Sequence, residues 1–329
     1  MGLSETTAGS IDLANRSIRQ IAEDIFDMSM RRPAVYDVFA STDTLGNELM
    51  IEHQVIEALQ PIRKWVGERQ FKDVVFAVVR GYKETYEKST EIDRKRAKSM
   101  TGQQLVNRVV NWLGSPEQDF DKIVHDLAFI GGTGPTGYDG VSLWNASHPR
   151  GAAGAVQSNI STTAWSIAQH EAVVLAGAAL TDVYGENLGI QYDTIVVGPA
   201  LARQLRDFLN AQARVQALSA AGVEATASVV AATTGPSAKG LTIYDGNGYT
   251  LVIDPRFAVG STLANKYLYL DTSKGVKPVA FYRGETELTA RTDPSDDNMF
   301  NRDFLQWGIR HDIAVMAGAW QVAFFGNVA

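Results

Sequence analysis

The stretch that decides the fold runs from Arg69 to Arg94: Arg-Gln-Phe-Lys-Asp-Val-Val-Phe-Ala-Val-Val-Arg-Gly-Tyr-Lys-Glu-Thr-Tyr-Glu-Lys-Ser-Thr-Glu-Ile-Asp-Arg. Phe71, Val74, Val75, Phe76, Val78, Val79, Tyr82, Thr85 and Tyr86 alternate loosely with charged residues. That mixture of β-branched and aromatic side chains suits extended chain better than helix. It predicts a long β-hairpin with Gly81 near the bend. Such a hairpin carries unpaired edges and cannot bury both faces within its own subunit. The charge around it is uneven. Pro61 to Val110 holds 12 Lys and Arg against 6 Asp and Glu, or +6, and the rest of the chain carries -13. One reading is a solvated basic face. The other is a basic arm that docks on an acidic surface of another copy, since complementary charge steers and registers an interface.

After the hairpin two helices are predicted. Thr101 and Gln104 form a capping box, and Leu105, Val106, Val109, Val110 and Leu113 form an apolar stripe that stops at Gly114. Ser115, Pro116 and Gln118 restart a helix, with Phe120, Ile123, Val124 and Leu127 on its apolar face and Gly131-Gly132 at its end. Together they make one slightly broken rod. Before the hairpin, Ile18, Ile21, Ala22 and Ile25 predict a helix over Ile11–Met30, ended by Pro33.

Beyond the rod, Gly131 to Asn159 reads as loop or extended arm. A helix follows at Trp165 to Leu180, then a buried strand at Thr194 to Val197 ended by Gly198-Pro199. A polar helix covers about Leu201 to Leu218, and Gly222 to Lys239 is small-residue loop. Leu241 to Ala290 reads as strands separated by turns at Asp245-Gly246, Asn247-Gly248, Asp254-Pro255 and Ser273-Lys274-Gly275. Phe304 to Phe325 alternates as strands do. The class is α+β.

The length of 329 residues allows a substantial core, and 45% hydrophobic with 20% charged residues argues against bulk disorder. With no cysteine, disulfide frameworks and thiol nucleophiles are excluded. A net charge of -7 disfavours a general nucleic-acid-coating protein. Met1–Ser10 lacks a charged start followed by an apolar run, and no apolar stretch is long enough to span a bilayer. The expectation is a soluble, cytoplasmically made protein with no membrane partner.

Motifs with chemical meaning are few. Gly132-Thr-Gly134-Pro-Thr-Gly137 fits G-x-G-x-x-G, but it follows a helix, contains Pro135 and leads into Tyr138-Asp139-Gly140, so a turn is the better reading. No P-loop and no G-x-S-x-G elbow occurs. His53, His125, His148, His170 and His311 form no close metal pair, and the neighbours Ser147 and His148 do not read as a catalytic pair. Asp293, Asp296 and Asp297 read as a solvated turn rather than a cation loop. Trp307, Trp320, Phe324 and Phe325 read as core or interface. The expectation is therefore no catalytic, cofactor-binding or metal-ligating residue, hence no enzyme, and a structural or assembly role.

Tyr138-Asp-Gly-Val-Ser-Leu-Trp-Asn-Ala-Ser-His-Pro149 resembles a signature of the phage Mu-like major head subunit family, with Trp144 in place of the usual Phe. Tyr86 to Arg96, Leu188 to Leu201 and Trp307 to Arg310 resemble further pieces of that family in the same order. The resemblance covers roughly residues 60 to 325. It implies a major capsid protein of the Hong Kong 97 phage-type fold. Its parts would be an N-terminal arm (1–60), an extended loop (61–98), a peripheral domain with the spine helix (99–154), an axial domain (155–270) and return strands (271–329). It implies self-assembly into hexamers and pentamers of an icosahedral or prolate shell. That shell would enclose double-stranded DNA without sequence-specific binding, in the virion after assembly in the host bacterial cytoplasm. Portal, scaffold and decoration proteins would be partners. An encapsulin-like nanocompartment and a soluble α+β enzyme are the alternatives.

Overall fold

The computed structural model describes residues 34–46, 48–58, 75–113, 116–150, 155–220, 249–258, 261–292 and 302–328. The helix expected at Ile11–Met30, the loop at Gly222–Lys239, the turns at Asp245–Gly248, the Ser115 cap and the acidic triplet Asp293, Asp296 and Asp297 lie outside these residues.

In chain order, a 3-10 turn at Val35–Val38 leads into strands β1 (Ala40–Thr44), β2 (Met50–Ala58), β3 (Val75–Tyr82) and β4 (Glu84–Asp93). Helices α1 (Arg94–Ser99), α2 (Gly102–Leu113) and α3 (Pro116–Ala128) follow. Then come β5 (His148–Arg150), β6 (Ala155–Gln157), β7 (Ile160–Ser161), α4 (Ile167–Ala178), β8 (Thr194–Val197) and α5 (Pro199–Ala220). The chain closes with β9 (Thr250–Ile253), β10 (Tyr267–Leu270), β11 (Val279–Arg291), β12 (Phe304–Ala317) and β13 (Ala323–Gly326). The α+β class holds.

The starts of the helices follow from their sequences. Thr101 Oγ1 accepts from the Gln104 amide at 3.3 Å, and Gln104 Oε1 accepts from the Thr101 amide at 3.0 Å, so both halves of the predicted capping box are made. Asp93 caps α1 by accepting from the amides of Lys95 and Arg96. Ser166 does the same for α4.

The predicted hairpin is not formed as expected. β3 and β4 do not pair with each other. β3 pairs antiparallel with β2, from Met50 opposite Tyr82 to Ala58 opposite Val75. β4 instead joins β12, from Phe304 opposite Asp93 to Ile313 opposite Glu84. The bend at Lys83 is thus a switch between two sheets rather than a hairpin tip. Its amide donates to Leu49 O and its ammonium pairs with Asp312 at 2.8 Å. Of the basic segment, Arg63, Lys64, Arg69 and Lys72 lie outside the described residues. Arg80 is the ribbon's one cation among the described residues, whereas Arg94, Lys95, Arg96, Lys98 and Arg108 belong to α1 and α2.

Two sheets organise the molecule. The first has the order β1-β11-β12-β4, with β1 parallel to β11 and the rest antiparallel. The second has the order β7-β13-β10-β8-β9. One apolar core runs from Tyr36 and Phe39 through Phe120, Val124 and Phe281 to Tyr267, Tyr269 and Phe325, so it joins both sheets and α3. A smaller cluster packs α1 and α2 on the far end of the first sheet, through Ile92, Leu105, Val106, Val109, Leu305 and Trp307. The strand expected at Thr194–Val197 is β8, buried at every residue. The alternating C-terminal stretch is strand at Phe304–Ala317 and again from Ala323, broken between them by Gly318, Ala319 and a buried 3-10 turn at Trp320–Val322.

Candidate assembly surfaces

The motifs that suggest chemistry are absorbed by the fold. Gly131, Gly132 and Gly134 all have positive φ, at 61°, 75° and 72°, and form a turn after α3 instead of opening a helix. Trp144 Nε1 donates to Ala128 O at 2.8 Å beside it, locking the turn to the helix end. His148 is fully buried. Its Nδ1 lies 2.6 Å from Asp139 Oδ2 and its Nε2 lies 3.1 Å from Asn159 Oδ1, while Trp320 stacks on the ring at 3.9 Å. Asn159 also accepts from the Asn145 amide and donates to Leu143 O. The Asp139 to His148 stretch is therefore a bracket that pins a long loop to the C-terminal turn.

His125, on α3, reaches Asp254 at 2.6 Å and Asp121 O at 2.6 Å. Arg256 returns to Asp121 at 2.8 Å and to Gln118 O. Burial by itself would lower the imidazole pKa. The hydrogen bond and charge of Asp254, with Asp121 behind it, outweigh that and hold it above its ordinary value. This network ties α3 to the turn after β9. His53 contacts the Tyr282 hydroxyl at 2.9 Å, His170 the Tyr269 hydroxyl at 2.8 Å, and His311 the Thr286 hydroxyl at 3.1 Å. Trp307, Trp320, Phe324 and Phe325 are all core residues. Among the described residues no group of His, Asp and Glu is placed to hold a metal, and no helix is long and apolar enough to cross a membrane.

What the molecule presents outward is more informative. The β2-β3 ribbon has two faces. Ile51, Val55 and Val79 point inward and are buried, and Gly81 sits directly on Met316 of β12. The opposite face holds Met50 beside Tyr82, Glu52 beside Arg80, and Gln54 beside Val78, with Phe76 beyond. Glu52 and Arg80 pair at 2.9 Å. The other side chains are left bare: Tyr82 is 70% exposed, Phe76 56%, Met50 42% and Val78 42%, with Leu49 74% exposed next to them. A strand that is apolar on both faces is the mark of a strand covered on both faces. Val75-Phe-Ala-Val-Val carried that signal in the sequence, and among the described residues only its inward face is covered.

A second outward surface is the bare face of the first sheet. There Glu87, Ser89 and Glu91 of β4 stand beside Gly308 and Gln306 of β12 and Thr289 of β11, around a groove of about 510 Å³. Its rows mix both signs, with Arg310 between Glu87 and Glu287. The third is the outer side of α1 and α2, where Lys95, Arg96, Gln103, Asn107, Arg108 and Asn111 are exposed.

No curated protein matches the sequence. Solved structures do match in fold. The structure described as Microbacterium phage Oxtober96 is 14% identical, with 91% of each chain covered and a TM-score of 0.52. The capsid of an empty GTA particle is 13% identical, with 91% of each chain covered and a TM-score of 0.50. The procapsid of bacteriophage JBD30 is 12% identical, covering 99% of this chain and 77% of the other, at a TM-score of 0.46. The first two, at TM-scores of 0.50 and above, show the Hong Kong 97-like architecture. The profile described as "Phage capsid protein" matches residues 83–322, from the strand switch at Lys83 to the C-terminal turn, so this non-enzymatic, shell-building chain belongs to the phage capsid protein family.

Proposed function

We propose that this chain is the major head subunit of a tailed phage or prophage, and that copies of it close into pentamers and hexamers around double-stranded DNA. The observation that carries the reading is the outward face of the two-stranded ribbon, where Met50, Phe76, Val78 and Tyr82 stand bare with Leu49 beside them. A two-stranded ribbon is marginal alone, and an exposed patch of this kind marks a protein interface. Contacts of one surface with a different surface on the next copy generate rings, which suits a shell.

In this reading the extended loop is residues 50–82, bounded by the pairing of β2 with β3, rather than 61–98. The arm then precedes it. The first sheet with α1 to α3 forms the peripheral part and the second sheet the axial part. A Mu-like affiliation rests on Tyr138 to Pro149, whose Asp139 and His148 hold each other. Portal and scaffold proteins as partners, and assembly in the host cytoplasm, follow from the same reading.

Electron microscopy of the chain expressed alone tests it. Closed particles are the expected result; a monodisperse monomer at high concentration would refute it. Nucleic-acid content of particles from infected or induced cells separates a head from a protein-filled compartment.

A further inference from the structure

Helices α1 and α2 carry the least balanced charge of any described helix. Arg94–Leu113 contains five Lys and Arg and no Asp or Glu. Each of the other described helices holds at least one acid: Asp119, Asp121 and Asp126 on α3, Glu171 on α4, Asp207 on α5. Three of the α3 acids are neutralised within the subunit, Asp119 by Lys88, Asp121 by Arg256 and Asp126 by Lys122. Arg94 is paired with Asp303. Lys95, Arg96 and Arg108 are exposed and have no acidic partner among the described residues.

The uncharged groups between them matter as well. Gln103, Asn107 and Asn111 lie on the exposed side of α2, at spacings of four. Arg, Lys, Asn and Gln without carboxylates are the side chains that contact nucleic-acid backbone. The opposite side of the same sheet is different in kind: its exposed rows alternate Glu287, Arg310 and Glu87. The subunit is thus cationic on one side of its first sheet and mixed on the other. A shell wall also has two unlike sides, and only the inner one meets packaged duplex.

We infer that the α1-α2 surface lines the interior of the shell and touches the phosphates of the enclosed DNA through Lys95, Arg96 and Arg108. The inference rests on the proposed head function. The chain as a whole repels duplex, at a net charge of -7. A small cationic stripe on such a wall gives loose, sequence-independent contact without coating the genome.

Two measurements test it. The chain has no cysteine, so Asn111→Cys supplies one unique thiol on this surface. Assembled shells are treated with a small maleimide that passes the wall and with a polyethylene-glycol maleimide that does not. Labelling by the small reagent and loss of labelling by the large one is the expected result. Labelling by both places α2 outside and overturns the inference. Labelling by neither, with normal labelling after the shells are dissociated, places α2 against a second copy and also overturns it. Failure to form shells at all in the unsubstituted protein instead sinks the head reading beneath it. In the second measurement, capsomers of the K95Q/R96Q/R108Q variant bind a labelled duplex. Its log affinity should lose about three units of slope against log salt, one for each phosphate contact removed; an unchanged slope overturns the inference.

Discussion

Replacing Phe76 and Tyr82 together by Ser strips the two rings that dominate the ribbon's outward face. Large aromatic side chains bury about 150–250 Å² each. At 56% and 70% exposure the two rings offer roughly 250 Å² between them for a neighbouring copy to cover. At about 25 cal/mol per Å², full cover contributes about 6 kcal/mol to each subunit contact. Half cover contributes about 3 kcal/mol, which corresponds to roughly a hundredfold change in association constant. The assay is the protein concentration at which shells form, followed by light scattering and checked by sedimentation. A rise of about two decades is expected, because a shell compounds the loss over every contact. The isolated subunit should keep its melting temperature, since neither ring supports the core and exposed substitutions usually cost within about 0.5 kcal/mol. An unchanged threshold would refute the reasoning, and so would a subunit that unfolds.

Three further outcomes test the interior. His148→Leu keeps the volume but strands Asp139 and Asn159, and should cost about 2–4 kcal/mol in urea unfolding; a loss under about 0.5 kcal/mol would show that the bracket is not structural. His125 has a folded pKa above its unfolded value. Its contribution is therefore complete below the ordinary histidine pKa and is lost as pH rises through the higher folded value. Urea midpoints measured on a pH series should decline over that window by at most about 1.4 kcal/mol per pH unit for this one proton, and His125→Gln should flatten the decline. Gly198→Ala would drive a methyl into the Phe257 backbone carbonyl. Backbone cannot swing aside as a side chain can, so a loss of about 3 kcal/mol or more is expected, read as a drop in soluble yield and melting temperature.

The elements were legible where their signals are local. Thr101 and Gln104 are three residues apart and satisfy one another, and Thr194–Val197 is a closed apolar run between polar flanks. Pairing was not legible, because the partner of β4 lies more than 200 residues away in β12. Nothing in Glu84–Asp93 distinguishes that partner from the adjacent β3. The polar inward face of β4 added to the confusion. Lys88 points toward the helices and is satisfied by Asp119, which only the tertiary structure supplies. β2 carries no clean strand signal, because its outward positions are Met50, Glu52 and Gln54, a mixture that hides the inward Ile51 and Val55. The basic segment was legible as charge but not as a place, since sequence order joins Arg80 to Arg94 while the fold puts them on different elements.

Two of the histidines show how polar residues of the interior serve the fold. A catalytic histidine needs one nitrogen free to face a substrate. His125 and His148 instead have both nitrogens committed to protein oxygens, each linking segments far apart in sequence. Buried polar networks that link distant segments favour one arrangement of the core over its competitors. Here they fasten α3 to the second sheet and the long loop to the C-terminal turn, so that one continuous core holds both sheets in a fixed relation. The ribbon joins that core through one face, by Ile51, Val55 and Val79, and through the bend at Lys83, and its other face stays outside it. A satisfied interior and a bare apolar outer face on the ribbon are thus two halves of one arrangement: the interior fixes the subunit, and in the proposed shell the bare face is the part another copy would cover.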